Sequence, residues 1–300
     1  MLYNSQKIVF WGTPSFVVPV LETLTKHFTV VGVVTTPDEK IGRHHLLTPT
    51  PVKQYCIDTS LQIPIFTPNT IQELNDVAKE HLTSLKPDLF VVAAYGKIIP
   101  DAIINLPRLG SINIHPSRLP DYKGPSPLQE TILSGDSETA VTIIQMDADV
   151  DHGPILSVKP LAISQSDTFL TLATKAFQLG AKMLPETIEQ LHKGEIIPQE
   201  QDHNKATFTS HITKQDGFFD STQPPTPAQL DRMIRAYYPW PTAWTRLHLS
   251  SSGSTQEKIL KFLPGNMLQV EGGRPMSLKD FTNGHPDMRA LISSLILQQS

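Results

Sequence analysis

Asp88–Gly96, DLFVVAAYG, decides the fold of this chain. Its apolar centre is unbroken, with no polar residue at every second place. It therefore predicts a strand buried on both faces, as in a parallel sheet, rather than a strand with one wet face. Lys7–Gly12 (KIVFWG) and Thr29–Thr35 (TVVGVVT) read the same way upstream, and Gly12 is followed by Thr13-Pro14, a start suited to a helix. Downstream, Ser111–His115 and Val141–Met146 supply two further strands. Helical stretches separate several of these runs. The pattern is β-α-β, an α/β fold with a mainly parallel sheet covered on both faces.

Beyond the strands, Asp167–Lys193 predicts a long amphipathic helix. Phe169, Leu172, Ala176, Phe177, Leu184 and Ile188 recur at near-helical spacing, Ser166 can cap its start, and Gly194 ends it. A first domain is expected over residues 1–197, and a polar linker over 198–212. A second domain over 213–300 follows. There Thr226-Pro227 opens a helix that Pro239-Trp240-Pro241 stops. The segments TAWTRLHL, EKILKFL and NMLQVEGG alternate as short strands of a small barrel.

Composition narrows the possible functions. With 39% hydrophobic residues in 300, a well-buried core is expected, and 18% charged residues excludes a disordered chain. Residues 1–205 carry 16 Lys+Arg against 22 Asp+Glu, whereas residues 206–300 carry 9 against 7, so the carboxy-terminal third is the part better suited to approach phosphates. The single Cys56 allows neither an internal disulfide nor a cysteine-based zinc site. His44-His45 lacks a third ligand, so no metal is expected. Gly12-Thr13-Pro14 is neither a dinucleotide nor a Walker loop. No secretory signal is read at the start, and no apolar run reaches the ~20 residues that span a bilayer. A cytoplasmic, monomeric protein with no membrane association is the expectation.

Two strand ends carry unusual polar residues. In SINIHPSRLPDYKG (111–124), Asn113 and His115 are two apart and point to the same side of an extended strand, and Pro116 holds the histidine backbone extended. MDADVDHGPIL (146–156) delivers Asp151 just before a His-Gly-Pro turn. An amide, an imidazole and a carboxylate suit acyl transfer to an amine. The amide donates to the developing oxyanion, the imidazole carries the amine's proton, and the carboxylate orients the imidazole. Capping and turn roles for the same residues remain open on spacing alone.

At these residues the chain resembles the methionyl-tRNA formyltransferase family. VFWGTPSFVVPVLETL resembles its first strand, turn and helix, and LTPTPVK the segment closing its tRNA-contacting loop. PDLFVVAAYGKIIP and INIHPSRLPDYKGPSPLQ resemble its central blocks, VTIIQMDADVDHGPIL its aspartate segment, and YYPWPTAW the opening of its second domain. The resemblance implies a Rossmann-like formyltransferase domain followed by a small OB-like β-barrel. It also implies formyl transfer from 10-formyltetrahydrofolate to the α-amine of initiator methionyl-tRNA, with Asn113, His115 and Asp151 catalytic. The family's folate-contacting Ser-Leu-Leu-Pro falls on Ser117, Arg118, Leu119 and Pro120, with Arg118 in place of a leucine. Lys40 and Arg43 are the fixed cations of a tRNA-contacting loop that usually carries more. Rival readings keep the same centre but change the acceptor, to an amino-sugar nucleotide, a purine-pathway amine or water. A further rival keeps only the fold, as a non-catalytic RNA-binding protein.

Overall fold

The structure, a computed structural model, describes residues 6–41, 46–251 and 254–295. The chain divides into two compact units. One runs to Pro125 and adds Glu138–Ala162 and Ala173–Thr209; the other holds Ser126–Ser137, Ile163–Leu172 and the chain from Ser210.

The first unit is built on strands β1 (Lys7–Gly12), β2 (Thr29–Val34), β3 (Glu39–Ile41), β4 (Leu46–Thr48), β5 (Ile65–Phe66), β6 (Leu89–Ala93), β7 (Ser111–His115), β8 (Glu138–Gln145) and β9 (Ile155–Ala162). Seven of them form one sheet in the order β5-β2-β1-β6-β7-β8-β9, while β3 and β4 pair as a separate hairpin. The first five strands in that order are parallel, and β8 and β9 are antiparallel additions at one edge. The mainly parallel sheet expected from the apolar runs is present, with β1, β6 and β7 at its centre.

Sheet order also predicts where a ligand belongs. From β1 the chain moves outward through β2 to β5, then returns to lay β6 on the other side of β1. Such a reversal opens a crevice at the carboxyl ends of the two strands. Gly12 and Ala93 are partners there, and the Thr13 hydroxyl donates to the Tyr95 carbonyl at 3.0 Å, tying the two ends together. β7, which ends on His115, is the next strand along.

One face of the sheet packs Val9, Trp11, Phe90 and Val92 against Leu74, Ala78 and Leu82 of the helical stretch that follows β5. Phe16 stacks on Phe177, at 5.3 Å between ring centroids, beside the long helix Phe169–Lys193. That helix starts two residues later than its apolar pattern suggests. Thr168 rather than Ser166 caps it: the Thr171 N–H donates to Thr168 Oγ1 at 3.4 Å, and the Thr168 N–H donates back to Thr171 Oγ1 at 3.0 Å. The Asp167 carboxylate accepts the Ser164 N–H at 2.8 Å, and this turn occupies the place where a cap at 166 would form.

The second unit contains the helices Pro127–Ser134 and Pro227–Ala236. Its antiparallel sheet runs in order through β10 (Ala243–Ser251), β11 (Ser254–Leu263), β12 (Met267–Val270) and β13 (Met276–Ser277). The Thr226 hydroxyl accepts from the Gln229 N–H at 3.3 Å, and the Gln229 amide oxygen accepts the Thr226 N–H at 2.9 Å, so both ends of this capping box are made. Leu230, Leu247, Leu260, Phe262, Leu268 and Phe281 form the core of this small β domain. Among the described residues, no helix is long and apolar enough to cross a membrane.

Gly180 sets how closely the long helix approaches β7. A Cβ at this position would lie 2.7 Å from Ile114 Cγ2, well inside contact distance. Overpacking of this kind costs typically ~1–3 kcal/mol, more than the ~0.8–1 kcal/mol gained by removing glycine from a helix. Gly180→Val is therefore expected to lower the urea midpoint of unfolding. An unchanged midpoint would mean that the helix moves away from β7 without penalty.

Candidate active site

Asp151 is the point on which the site converges. Its Oδ1 accepts from Asn113 Nδ2 at 3.2 Å and lies 3.3 Å from His115 Nδ1, while its Oδ2 accepts the Gly124 N–H at 2.8 Å. The parity of β7 puts Asn113 and His115 on one side, opposite Ile144 and Thr142 of β8. All three residues singled out in the sequence thus meet at one carboxylate. Asp151 itself sits at φ 51°, in the left-handed region, where a non-glycine residue persists only if its surroundings hold it. Two residues on, a Cβ at Gly153 would lie 1.9 Å from the Gln145 carbonyl oxygen, so only glycine lets this loop pass β8.

Burial alone would push the Asp151 carboxyl up. The facing charge of His115 and the hydrogen bonds from His115, Gly124 and Asn113 outweigh it and hold the group below the usual carboxylate range. Asp151 is therefore an anion at neutral pH, although its side chain is only 9% exposed.

His115 is buried, and both ring nitrogens face acceptors: Asp151 Oδ1 beyond Nδ1, and the Tyr122 carbonyl 3.0 Å from Nε2. A neutral imidazole has one N–H and satisfies one of them; the imidazolium satisfies both. Asp151 can only accept, so Asn113 must turn its NH₂ toward it, and this group keeps a second hydrogen for another acceptor.

The residues after His115 divide by role. The Ser117 hydroxyl is fully buried and donates to the Asp121 carbonyl at 2.6 Å, while the Ser117 carbonyl accepts from Thr142 Oγ1 at 2.6 Å. Leu119 is buried too, so both brace the loop from inside. Pro120 is partly exposed. Arg118 is exposed and pairs with Glu138 at 2.6 Å. Exposed pairs are worth only ~0–1 kcal/mol, so this guanidinium can be recruited by another anion at little cost.

Lys40 lies exposed on β3, and Arg43, with His44 and His45, falls outside the described residues. The base of the hairpin is fixed by Lys53, whose Nζ lies 2.8 Å from an Asp38 carboxylate oxygen. No cluster of metal-ligating side chains occurs among the described residues.

Several supporting groups went unread in the sequence. Tyr122, whose carbonyl faces His115, and Gly124, whose N–H holds Asp151, act through the main chain, which residue identity does not advertise. Lys123 is buried. Burial lowers its ammonium, against the opposing pull of Asp151, Asp147 and Asp149, and its Nζ is 3.2 Å from His203 Nδ1. His203 in turn stacks on His152 at 3.9 Å, and His152 pairs with Asp147 at 2.6 Å. The nearest sequence signal was the DADVDH run, which places several carboxylates around one turn.

Residues 6–188 match the family model described as formyl transferase. A methionyl-tRNA formyltransferase of Roseiflexus sp. (strain RS-1) is 45% identical over 274 residues, which cover 89% of this chain and 82% of that protein. Among solved structures, the methionyl-tRNA formyltransferase from Clostridium thermocellum aligns over 90% of this chain and 96% of its own at 16% identity, with a TM-score of 0.56. An N-formyltransferase from Helicobacter canadensis, in complex with folinic acid and dTDP-3-aminofucose, aligns over 91% and 99% at 18% identity, with a TM-score of 0.58. The solved structures share the fold with this chain. The extent of the sequence match goes further, and the chain belongs to the methionyl-tRNA formyltransferase family.

Proposed function

We propose that this protein transfers a formyl group from 10-formyltetrahydrofolate to the α-amine of methionyl initiator tRNA. The observation that carries the chemistry is the single carboxylate of Asp151 receiving both the Asn113 amide and the His115 imidazole at a strand end. The acceptor follows from the relatives' name and from their coverage of both units.

The folate supplies the formyl carbon and leaves as an amine. An α-amine of pKa ~7.7–8.0 is substantially neutral near pH 7.5, so it can attack without prior activation. The free N–H of Asn113 is available to the oxygen that gains negative charge, and one such donor is typically worth ~3–4 kcal/mol. The attacking nitrogen sheds a proton and the leaving nitrogen needs one. His115, paired with an anion and able to carry a proton on either ring nitrogen, is suited to that exchange. Asp151 steadies the charged ring and fixes the Asn113 amide.

At the edges of the site, Arg118 and Pro120 are the members of the folate segment with exposed surface. Arg118 is suited to a carboxylate of the carrier. Lys40, together with Arg43, is assigned to the acceptor stem, and residues 213–300 to the tRNA backbone, with the enzyme acting as a monomer.

The test of this reading is formyl transfer with methionyl initiator tRNA, methionyl elongator tRNA and amino-sugar nucleotides offered as separate acceptors. Selective labelling of the initiator is expected; labelling of a sugar nucleotide alone would reassign the acceptor. Asn113→Ala should lower kcat on the order of a hundredfold or more with little change in folate binding, and near-parent turnover would remove the amide from its role.

A pH effect follows from Asp151. Its folded-state value is lowered below the unfolded ~3.9, so its contribution to stability is complete above that value and is lost as pH falls through the folded value. Urea unfolding followed downward from pH 5 should show the parent losing more stability than Asp151→Asn. Parallel curves would contradict the held-down carboxyl.

A further inference from the structure

The stretch after the long helix is polar, yet it is fastened to both loops of the site. Gln199 exchanges two main-chain hydrogen bonds with Ile155, at 2.8 and 2.9 Å. The Thr207 hydroxyl accepts the Tyr122 N–H at 2.8 Å, the Thr207 carbonyl accepts the Lys123 N–H at 2.9 Å, and the Thr209 N–H donates to the Lys123 carbonyl at 2.7 Å. Between these attachments lies Gln201, which is 5% exposed. Its Nε2 sits 3.0 Å from the Asp151 carbonyl oxygen, 3.0 Å from that of His152 and 2.7 Å from that of Gly153.

Three consecutive carbonyls aimed at one point repel one another and need a donor. An extended chain alternates its carbonyls; here the left-handed residue Asp151 turns the main chain so that they converge. Gln201 supplies the donor from a part of the chain about fifty residues away. Its own Oε1 is buried without a hydrogen-bond partner, so this amide is held in place for its nitrogen at the expense of its oxygen. A side chain kept on those terms answers to the loop it grips.

We propose that Gln201 is a positioning residue for the reaction: by clamping the carbonyls of 151–153 it holds the Asp151 turn, and so the direction in which the carboxylate meets His115 and Asn113. The inference rests on the catalytic reading of Asp151 given above. Gln201 touches neither substrate nor the reacting atoms. Its effect passes through Asp151 alone, and this separates it from a residue that merely supports the fold.

A double-mutant cycle on the full chain tests this, with formyl transfer from 10-formyltetrahydrofolate to methionyl initiator tRNA as the assay, under single-turnover conditions where rates are low. Gln201→Leu should lower kcat about tenfold or more, with KM for both substrates within about twofold of the parent. In the Asp151→Asn background the same substitution should change kcat by less than about twofold, because the carboxylate it positions is gone. An equal loss in both backgrounds would show general support of the fold and overturn the proposal, as would parent kcat in Gln201→Leu. If Asp151→Asn alone kept parent turnover, the catalytic reading itself would fall, an outcome distinct from the other two. Should Gln201→Leu not fold, Gln201→Met, which keeps the side-chain length without the amide, takes its place. Failure of both to fold would assign Gln201 to folding and overturn the positioning role.

Discussion

An ionised carboxylate taken out of water must be compensated by donors or it will not stay ionised. Asp151 meets this condition with a strand amide and a strand imidazole, both from β7, and an N–H from the loop that follows it. Much of the surrounding architecture can be understood as what that condition requires. β7 must end in a register that sends positions 113 and 115 to the same side. The loop after it must return its main chain at Gly124 within reach of Oδ2. The loop after β8 must turn in the left-handed region at Asp151 and then pass β8 at a glycine, since the Gln145 carbonyl leaves no room for a Cβ at 153.

The sheet supplies the rigid part of this arrangement. β7 is flanked by β6 on one side and the antiparallel β8 on the other, so its end cannot shift without breaking two ladders. Packing reinforces this from behind, where Gly180 lets the long helix approach Ile114, the residue between Asn113 and His115. The loops depend more on hydrogen bonds, with buried Leu119 adding apolar support to the first of them. Ser117 and Thr142 brace one of them, and residues 199–209 fasten both.

That difference explains what the sequence disclosed. The strands at 7–12, 29–34 and 89–93 were legible because burial on both faces writes itself as runs rich in valine, isoleucine and phenylalanine. Asn113, His115 and Asp151 were legible because polar residues at the ends of such strands are rare. β9, with most of its side chains half-buried or exposed, carries no such signature and was not read. Residues 198–212 read as a polar linker for a physical reason: much of what ties them to the site loops is main chain, at Gln199, Thr207 and Thr209. Gln201 adds an amide whose three partners are carbonyls that any sequence would present. The start of the long helix shifted to Thr168 because serine and threonine are equivalent as caps in sequence, and only the turn at Asp167 distinguishes them.

Under the proposed function, the same geometry constrains the division of labour between Asn113 and His115. A carboxylate accepts and cannot donate, so both residues present hydrogens to it, and neither can use those hydrogens for anything else. Asn113 retains one N–H, which makes it a donor with a fixed direction and no charge of its own. His115 has its other ring nitrogen 3.0 Å from the Tyr122 carbonyl, so that position is occupied until a substrate or a small rotation of the ring replaces the carbonyl. The amide is therefore ready for a developing oxyanion before any substrate arrives, whereas the imidazole must exchange a partner to take part. In the proposed reaction, stabilisation of negative charge is built into the resting site, and proton transfer waits on the substrate that displaces the Tyr122 contact.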